Sequence, residues 1–346
     1  DMNLVFTPLC GTGRRLGERA LRQAGFTNFT IEPTEAQPNG DFPGLEHPNP
    51  EFPEAFVRSI KLGKEIDADV LIATDPDADR LGCAVRQPNG EYQLLTGNQI
   101  ASIMLAYILE AHKQAGTLPK NAAAVKSIVS TNFAAKIAES YGVEMINVLT
   151  GFKWIADQIH QYETGKADHT FMFGFEESYG YLIKPFVRDK DAIQSLTLLA
   201  EVAAYYRSRK MTLYDGLQEL FKKYGYFREK TVANMYPGVD GPAKIQGLMK
   251  KFREEAPTDF AGHKVMVTED FSKGTKTTAD GQVSELGIPE SNVLRYILDD
   301  ETWIAIRPSG TEPKLKFYIG TSAPSLDEAN SKLAAFEKAL KEFAEE

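Results

Sequence analysis

Apolar residues fall in strand-length blocks separated by stretches with helical spacing over the first two thirds of the chain, and change to alternation with polar residues in the last third. Residues 3–9 (NLVFTPL) form an apolar run, residues 14–24 carry helical spacing, and residues 28–33 (NFTIEP) form a second run, which together predict a βαβ start. A polar, proline-rich connection follows. A helical stretch at 53–64, an apolar run at 69–75 (DVLIATD) and a hairpin signal at 86–95 (RQPNGEYQLL) complete an α/β layer with a mostly parallel sheet. The pattern then repeats, with helices at 98–113, 133–141 and 152–162 between strands at 124–130, 143–149 and 170–176. Helices at 191–209 and 212–223 lead into a different texture. Strand-like runs at 227–236, 264–271, 292–299, 303–309 and 314–320, with helices at 242–255 and 325–343, read as α+β. The expected domains are 1–97 and 98–225, both α/β, and a smaller α+β domain at 226–346, packed against one another because no linker is long or low in complexity.

Composition narrows the function classes. A chain of 346 residues with 42% hydrophobic and 25% charged positions suits two or three folded domains rather than disorder. The 39 cationic against 48 anionic side chains leave a net charge of −9, which argues against nucleic acid or an anionic membrane as partner. The most apolar window, residues 100–111, falls short of the ~20 residues of a membrane span. Two cysteines, Cys10 and Cys83, fit neither a disulfide framework nor a metal-ligand spacing. They are expected as buried small hydrophobes in a protein of the reducing cytoplasm. The chain opens in a core strand with no initiator Met, as a piece of a longer protein would.

The most specific stretch is ATDPDADRLG, residues 73–82, which leaves the carboxyl end of an apolar strand, where ligands bind in open α/β sheets. Asp75, Asp77 and Asp79 crowd three carboxylates beside a single cation, Arg80. Two such charges ~4 Å apart repel by about 4 kcal/mol at an effective dielectric of ~20, and a divalent cation relieves this. Short hard-oxygen ligands favour Mg2+, and Mg2+ commonly shares its shell with phosphate, so phosphoryl transfer is the first chemistry to consider. An EF-hand fails because Arg80 and Arg86 stand where it needs Gly and Glu. A plain solvated acidic turn would use the same residues, but not directly after a buried strand.

Three further stretches carry polar groups suited to a sugar phosphate. In AIRPSGTEPK (305–314), Arg307 offers a bidentate fork, Ser309 and Thr311 offer hydroxyls, and Gly310 lets backbone N–H groups approach an anion. An ordinary hairpin loop would look similar. In GFEESYGY (174–181), Glu176 and Glu177, beside Ser178 and Gly180, could accept hydrogen bonds from vicinal sugar hydroxyls, and Arg188 and Lys190 of VRDKDA could hold phosphate or move protons, although a solvated charged loop would show the same spacing. TGFKWI (150–155) opens a helix whose N-terminus favours anions. CGTGRRLG (10–17) places Leu16 where a dinucleotide fingerprint needs its third Gly, and reads as a tight strand-to-helix turn.

In this order, DPDADR, TGFKWI, GFEESYG with RDKDA, and RPSGTEPK resemble the α-D-phosphohexomutase family, most closely its bacterial phosphoglucomutase/phosphomannomutase enzymes. The resemblance covers essentially the whole chain. It implies three related α/β domains and a smaller fourth domain around one cleft, here as two three-layer α/β mutase-type domains followed by the α+β domain. By the same resemblance Asp75, Asp77 and Asp79 match the Mg2+ ligands, with Arg80 beside them. Thr150, Gly151 and Lys153 match a substrate-contacting loop. Glu176 and Ser178 match the pair on sugar O3 and O4, and Arg307, Ser309, Gly310 and Thr311 the loop on the non-transferred phosphate. Lys190 sits where the family has a lysine proposed in proton transfer. The implied reaction interconverts hexose 1-phosphate and hexose 6-phosphate, of glucose or mannose, through phosphoserine and a hexose 1,6-bisphosphate primer.

The family's nucleophile is a phosphoserine in a Ser-His-Asn-Pro loop of its first domain, and no such loop occurs in this chain. The expectation is therefore domains two to four, inactive without the phosphoserine domain in cis. Two other classes compete: a non-catalytic sugar-phosphate-binding module, and a haloacid-dehalogenase-type phosphatase with Asp75 as nucleophile and Asp299 and Asp300 on the same Mg2+.

Overall fold

The computed structural model describes residues 2–310 and 312–345, in two compact units, Asp1–Leu220 and Phe221–Glu346. The first unit holds two sheets. One is built from β1 (Leu4–Thr7), β2 (Phe29–Ile31), β3 (Val70–Thr74), β4 (Leu81–Arg86) and β5 (Tyr92–Leu94), in the order β2-β1-β3-β4-β5, with helices α1 (Arg14–Gln23) and α2 (Val57–Ile66) between strands. Every residue of β1 and β3 is buried, as expected of parallel strands covered on both faces. Val5, Phe56, Leu71 and Ala84 belong to one core cluster in this region. The sheet is less parallel than expected: β2, β1 and β3 are parallel, but β4 and β5 fold back antiparallel. The hairpin begins earlier than its turn signal suggests, because residues 81–86 continue as a strand on the edge of β3.

The second sheet contains β6 (Ala122–Ser127), β7 (Glu144–Val148), β8 (Thr170–Glu176) and β9 (Gly180–Leu182), ordered β7-β6-β8-β9. Its helices are α3 (Gly97–Gln114), α4 (Asn132–Ser140), α5 (Phe152–Glu163) and α6 (Ala192–Ser208), and α7 (Leu213–Tyr224) follows. A reciprocal box starts α3: the Thr96 hydroxyl accepts from the Gln99 N–H (3.2 Å), and the Gln99 side chain accepts from the Thr96 N–H (3.0 Å). This helix is apolar nearly all round and is correspondingly buried, packing on α4 and α6. Phe152, Ile155 and Ile159 of α5 cover Val125, Val148 and Leu182 of the sheet. Each large apolar side chain buried this way is worth about 1.5–3 kcal/mol.

The second unit is the expected α+β arrangement. Strands β10 (Tyr226–Met235), β11 (Asp259–Phe260), β12 (His263–Asp270), β13 (Thr275–Thr278), β14 (Val283–Glu285), β15 (Leu294–Leu298), β16 (Trp303–Pro308) and β17 (Lys314–Ala323) pair antiparallel, in the order β10-β17-β16-β15-β12-β13-β14 with β11 on β12. Helices α8 (Gly241–Glu254) and α9 (Leu326–Glu345) bring Ile245, Met249, Phe252, Phe336 and Leu340 into one core with inward residues of β15, β16 and β17. Cys10 and Cys83 are free and buried. Among the described residues no helix is long and apolar enough to cross a membrane.

Candidate functional site

β3 delivers Asp75 to the start of a tight loop. Its Oδ1 accepts the N–H groups of Asp79 (3.0 Å) and Arg80 (2.9 Å), which folds residues 75–80 around that carboxylate. Ala78 adopts a left-handed conformation (φ 59°) to close the turn. One carboxylate oxygen from each of Asp75, Asp77 and Asp79 lies within 4.8 Å of the others. Burial pushes the Asp75 carboxyl up to about 7, against the Arg80 N–H bond, with Asp79 and Asp77 pushing the same way. The cations present compensate only in part: Arg80 Nε lies 3.9 Å from Asp75 Oδ2 and 3.8 Å from Asp79 Oδ1. Lys190 Nζ is closer, 2.7 Å from Asp79 Oδ2 and 3.1 Å from Asp189 Oδ1. Burial disfavours the charged lysine, but its bonds to Asp79 and Asp189 outweigh this and leave its pKa raised.

The arrangement suits a hard divalent cation. Asp79 Oδ1 is buried and has no hydrogen-bond partner among the described residues, although a buried carboxylate oxygen needs one. Three carboxylates that each bring an oxygen within 4.8 Å of the others offer the short, hard oxygen ligands a small divalent cation favours.

The second set of polar groups lies on the other sheet of the same unit. Glu176 ends β8, is 6% exposed, and accepts the Gly151 N–H at 2.6 Å. Gly151 has φ 117°, which a side chain would disfavour, and its conformation turns the chain into α5. Burial, and then the neighbouring Glu177, push Glu176 up to about 7. Thr150 Oγ1 is buried without a hydrogen-bond partner among the described residues. Lys153 is exposed, its ammonium 5.0 Å from the Trp154 ring centre. Ser178 is half-buried in the turn to β9. The two sets meet through backbone: Arg80 bridges Gly180, the Leu81 N–H donates to the Tyr179 carbonyl (3.0 Å), and the Ala192 N–H donates to the Ala78 carbonyl (3.1 Å). The structure thus brings together Asp75, Asp79, Arg80, Lys190 and the strand turn after Glu176. Arg188 is engaged elsewhere, by the Glu163 carboxylate and the Pro185 carbonyl.

One supporting residue was not among the candidates. Asp191 caps α6 by accepting the Ile193 N–H at 2.8 Å, directly after Lys190, and an acidic residue before an apolar helix was the available signal. Glu177, expected on a sugar hydroxyl, instead accepts the hydroxyls of Ser127 (2.9 Å) and Ser130 (3.1 Å) at the end of β6. No local pattern announces that contact.

In the second unit, Arg307 is half-buried near the end of β16 and donates weakly to the Tyr318 hydroxyl (3.4 Å). The loop that follows is closed by the Ser309 N–H to the Lys314 carbonyl (2.8 Å), and Lys314 Nζ pairs with Glu312 (2.9 Å). Gly310 is exposed. Ser309 and Gly310 border a cleft of about 510 Å³ that Pro242, at the start of α8, and Asn292 also line. Thr311 lies outside the described residues. Asp299 and Asp300, which a phosphatase would need on its cation, are held locally by His263 (2.8 Å) and by the Lys332 ammonium (2.6 Å).

Comparison with known proteins agrees along the chain. Family models described as phosphoglucomutase/phosphomannomutase alpha/beta/alpha domain II, alpha/beta/alpha domain III and C-terminal domain match residues 1–90, 96–224 and 245–345. A phosphoglucomutase of Staphylococcus epidermidis is 41% identical over 328 residues, covering 94% of this chain and 59% of its own length. The chain thus spans about three fifths of that relative. Among solved structures, a putative phosphomannomutase from Thermus thermophilus superposes with TM-score 0.66 at 17% identity, over 100% of this chain and 61% of its own. An Aspergillus fumigatus N-acetylphosphoglucosamine mutase, solved in complex with GlcNAc-6P and magnesium, gives TM-score 0.54 at 15% identity, over 98% and 66%. At these identities the structures attest the fold.

Proposed function

Because the chain belongs to the phosphoglucomutase/phosphomannomutase family, we propose that it carries the metal-, sugar- and phosphate-binding parts of an enzyme interconverting hexose 1-phosphate and hexose 6-phosphate. On this reading residues 1–97, 98–225 and 226–346 are the family's second, third and fourth domains. The observation that carries it is the gathering of three carboxylates with an oxygen of each within 4.8 Å of the others, together with a buried Asp79 oxygen that has no hydrogen-bond partner among the described residues and Lys190 on the same carboxylate. Mg2+ held by Asp75, Asp77 and Asp79 would neutralise charge on a transferring phosphoryl group.

The chain's own residues do the rest. Arg80 adds fixed positive charge beside the carboxylates, and Lys190 Nζ holds a proton at the cluster's edge. Glu176, kept in place by the Gly151 N–H, accepts from the sugar O3 and O4 hydroxyls, with Ser178 and Thr150 as further hydroxyl contacts and Lys153 at the same loop. Glu176 and Asp75 both resist ionisation in the bare protein, so ligand donors and cations have a strong charge deficit to relieve. Arg307, Ser309, Gly310 and Thr311 take the phosphate that is not being transferred. Their mixture of guanidinium, hydroxyl and backbone donors suits either end of a bisphosphate. The phosphoryl donor on this reading is a phosphoserine supplied from outside these residues, primed by hexose 1,6-bisphosphate.

A coupled assay converting glucose 1-phosphate to glucose 6-phosphate tests this, with the chain alone and mixed with a separately expressed serine-bearing domain. No rate alone and primer-dependent turnover in the mixture are expected. Turnover by the purified chain alone would overturn the external donor. Silence in the mixture, with glucose 1-phosphate still bound, would leave a sugar-phosphate-binding module.

A further inference from the structure

The glycine-rich turn at residues 11–13 is too irregular for a dinucleotide loop, and its contacts show a different task. The Pro76 carbonyl accepts two bonds from Thr12, from its N–H (2.7 Å) and its Oγ1 (3.0 Å). Gly11 lies so close that a Cβ there would stand 2.2 Å from Pro76 Cα and 2.4 Å from its carbonyl oxygen. A Cβ on Gly13 would stand 2.8 Å from Thr74 Oγ1 and 3.3 Å from the Ala78 Cβ. The turn therefore bonds Pro76 and lies closely against Thr74 and Ala78, while the three carboxylates that gather within 4.8 Å belong to the alternate residues Asp75, Asp77 and Asp79.

We propose that the Gly11-Thr12-Gly13 turn is a positioning clamp: by holding the even-numbered residues of the aspartate loop, it sets the spacing of the three odd-numbered carboxylates and so tunes the site to a small divalent cation. Like charges at this distance repel and would open an unrestrained loop. Two bonds onto one carbonyl at the middle of the loop oppose that opening. Thr12 thus acts through Pro76, without touching the ion. Mg2+ demands near-ideal octahedral geometry whereas Ca2+ tolerates irregular shells, so a loosened loop costs Mg2+ more than Ca2+.

The inference rests on the reading of the carboxylates as a cation site, and the test separates the two. Mg2+ and Ca2+ are titrated calorimetrically into the chain and its Thr12→Val, Thr12→Ser and Asp77→Asn variants, with melting followed in parallel. Thr12→Val, which removes the Oγ1 bond to Pro76 and keeps the N–H bond, should weaken Mg2+ about tenfold, the lower end of the effect of losing an outer-shell support, and Ca2+ by less than about threefold. Thr12→Ser, which keeps the hydroxyl, should stay within about twofold of the parent. If Thr12→Val does not fold, Thr12→Ala makes the same comparison without the branched side chain. Unchanged Mg2+ affinity in Thr12→Val when Asp77→Asn has lost it, or equal losses of both ions, overturns the clamp and leaves the cation site standing. An Asp77→Asn protein that binds Mg2+ like the parent overturns the site itself.

Discussion

The aspartate loop of the first unit and the Arg307 loop of the second are the two stretches richest in ligand-type residues, and they are built in opposite ways. Asp75 to Arg80 are tied from several directions: Asp75 Oδ1 takes two backbone N–H groups, Pro76 is held by Thr12, and Ala78 and Leu81 bond to Ala192 and Tyr179. In the Arg307 loop the Ser309–Lys314 backbone bond closes the neck and the Tyr236 N–H holds the Pro313 carbonyl (2.8 Å), but at the tip no described atom lies within 4 Å of where a Gly310 side chain would begin. A metal site gains from rigid spacing of its charges. On the proposed function the Arg307 loop accepts either end of a bisphosphate and gains from give, with Arg307 supplying direction. The comparison separates a preorganised site from an adaptable one within the same proposed reaction.

Four measurements break or sharpen that contrast. The largest effect should come from Asp77→Asn, which removes one of three charges from the rigid loop and should cost roughly a hundredfold in Mg2+ affinity by calorimetry. A loss below about threefold would remove Asp77 from the site. Next, Arg307→Ala should weaken glucose 1-phosphate binding by about ten- to a hundredfold, the worth of charge-assisted bonds of ~1.5–3 kcal/mol, and leave free glucose nearly unaffected. Equal losses for both would assign Arg307 to the fold.

Matched alanine substitutions test stiffness directly. Gly11→Ala must push Pro76 away and should cost about 2 kcal/mol in denaturant unfolding, whereas Gly310→Ala enters open space and should stay within ~0.5 kcal/mol. Similar values for the two would erase the distinction. A further test is in pH. Asp75 and Glu176 have folded pKa values of about 7, above the 3.8 and 4.5 of the free side chains, so between about pH 4 and 7 the folded chain holds protons that the unfolded chain has lost. Stability from these groups therefore falls as pH rises through that window and levels off above it, which melting without divalent cation should record. Mg2+ must displace the Asp75 proton, so its affinity should rise up to about tenfold per pH unit below 7 and flatten above. A pH-independent affinity would mean that Asp75 is ionised before the ion arrives.

The legible parts of the molecule were those written in local pattern. β1 and β3 are continuous apolar runs because both faces are covered, and the loop after β3 announces its carboxylates by spacing alone. Strands β13 and β14 escaped because Thr275–Thr278 and Val283–Glu285 are polar and partly or wholly exposed, paired by backbone with no apolar face to bury. β9 escaped for a different reason: Gly180–Leu182 is too short to show a period and is defined by its partner β8. The same holds within the site. The order of the four motifs exposed their kinship, but Lys190 on Asp79, Glu177 on Ser127 and Ser130, and Thr12 on Pro76 join residues 47 to 111 positions apart. Such contacts are products of the folded sheets, and no window along the chain contains both partners.

The interlock of residues 11–13 with Thr74, Pro76 and Ala78 also constrains how this loop can change length. Adding one residue between Thr74 and Arg80 would exchange the parity of every position after it, presenting carboxylates to the glycine turn and small side chains to the cation. A pair of added residues would restore the count. The loop is in that sense an arithmetic device, intolerant of a frame shift by one.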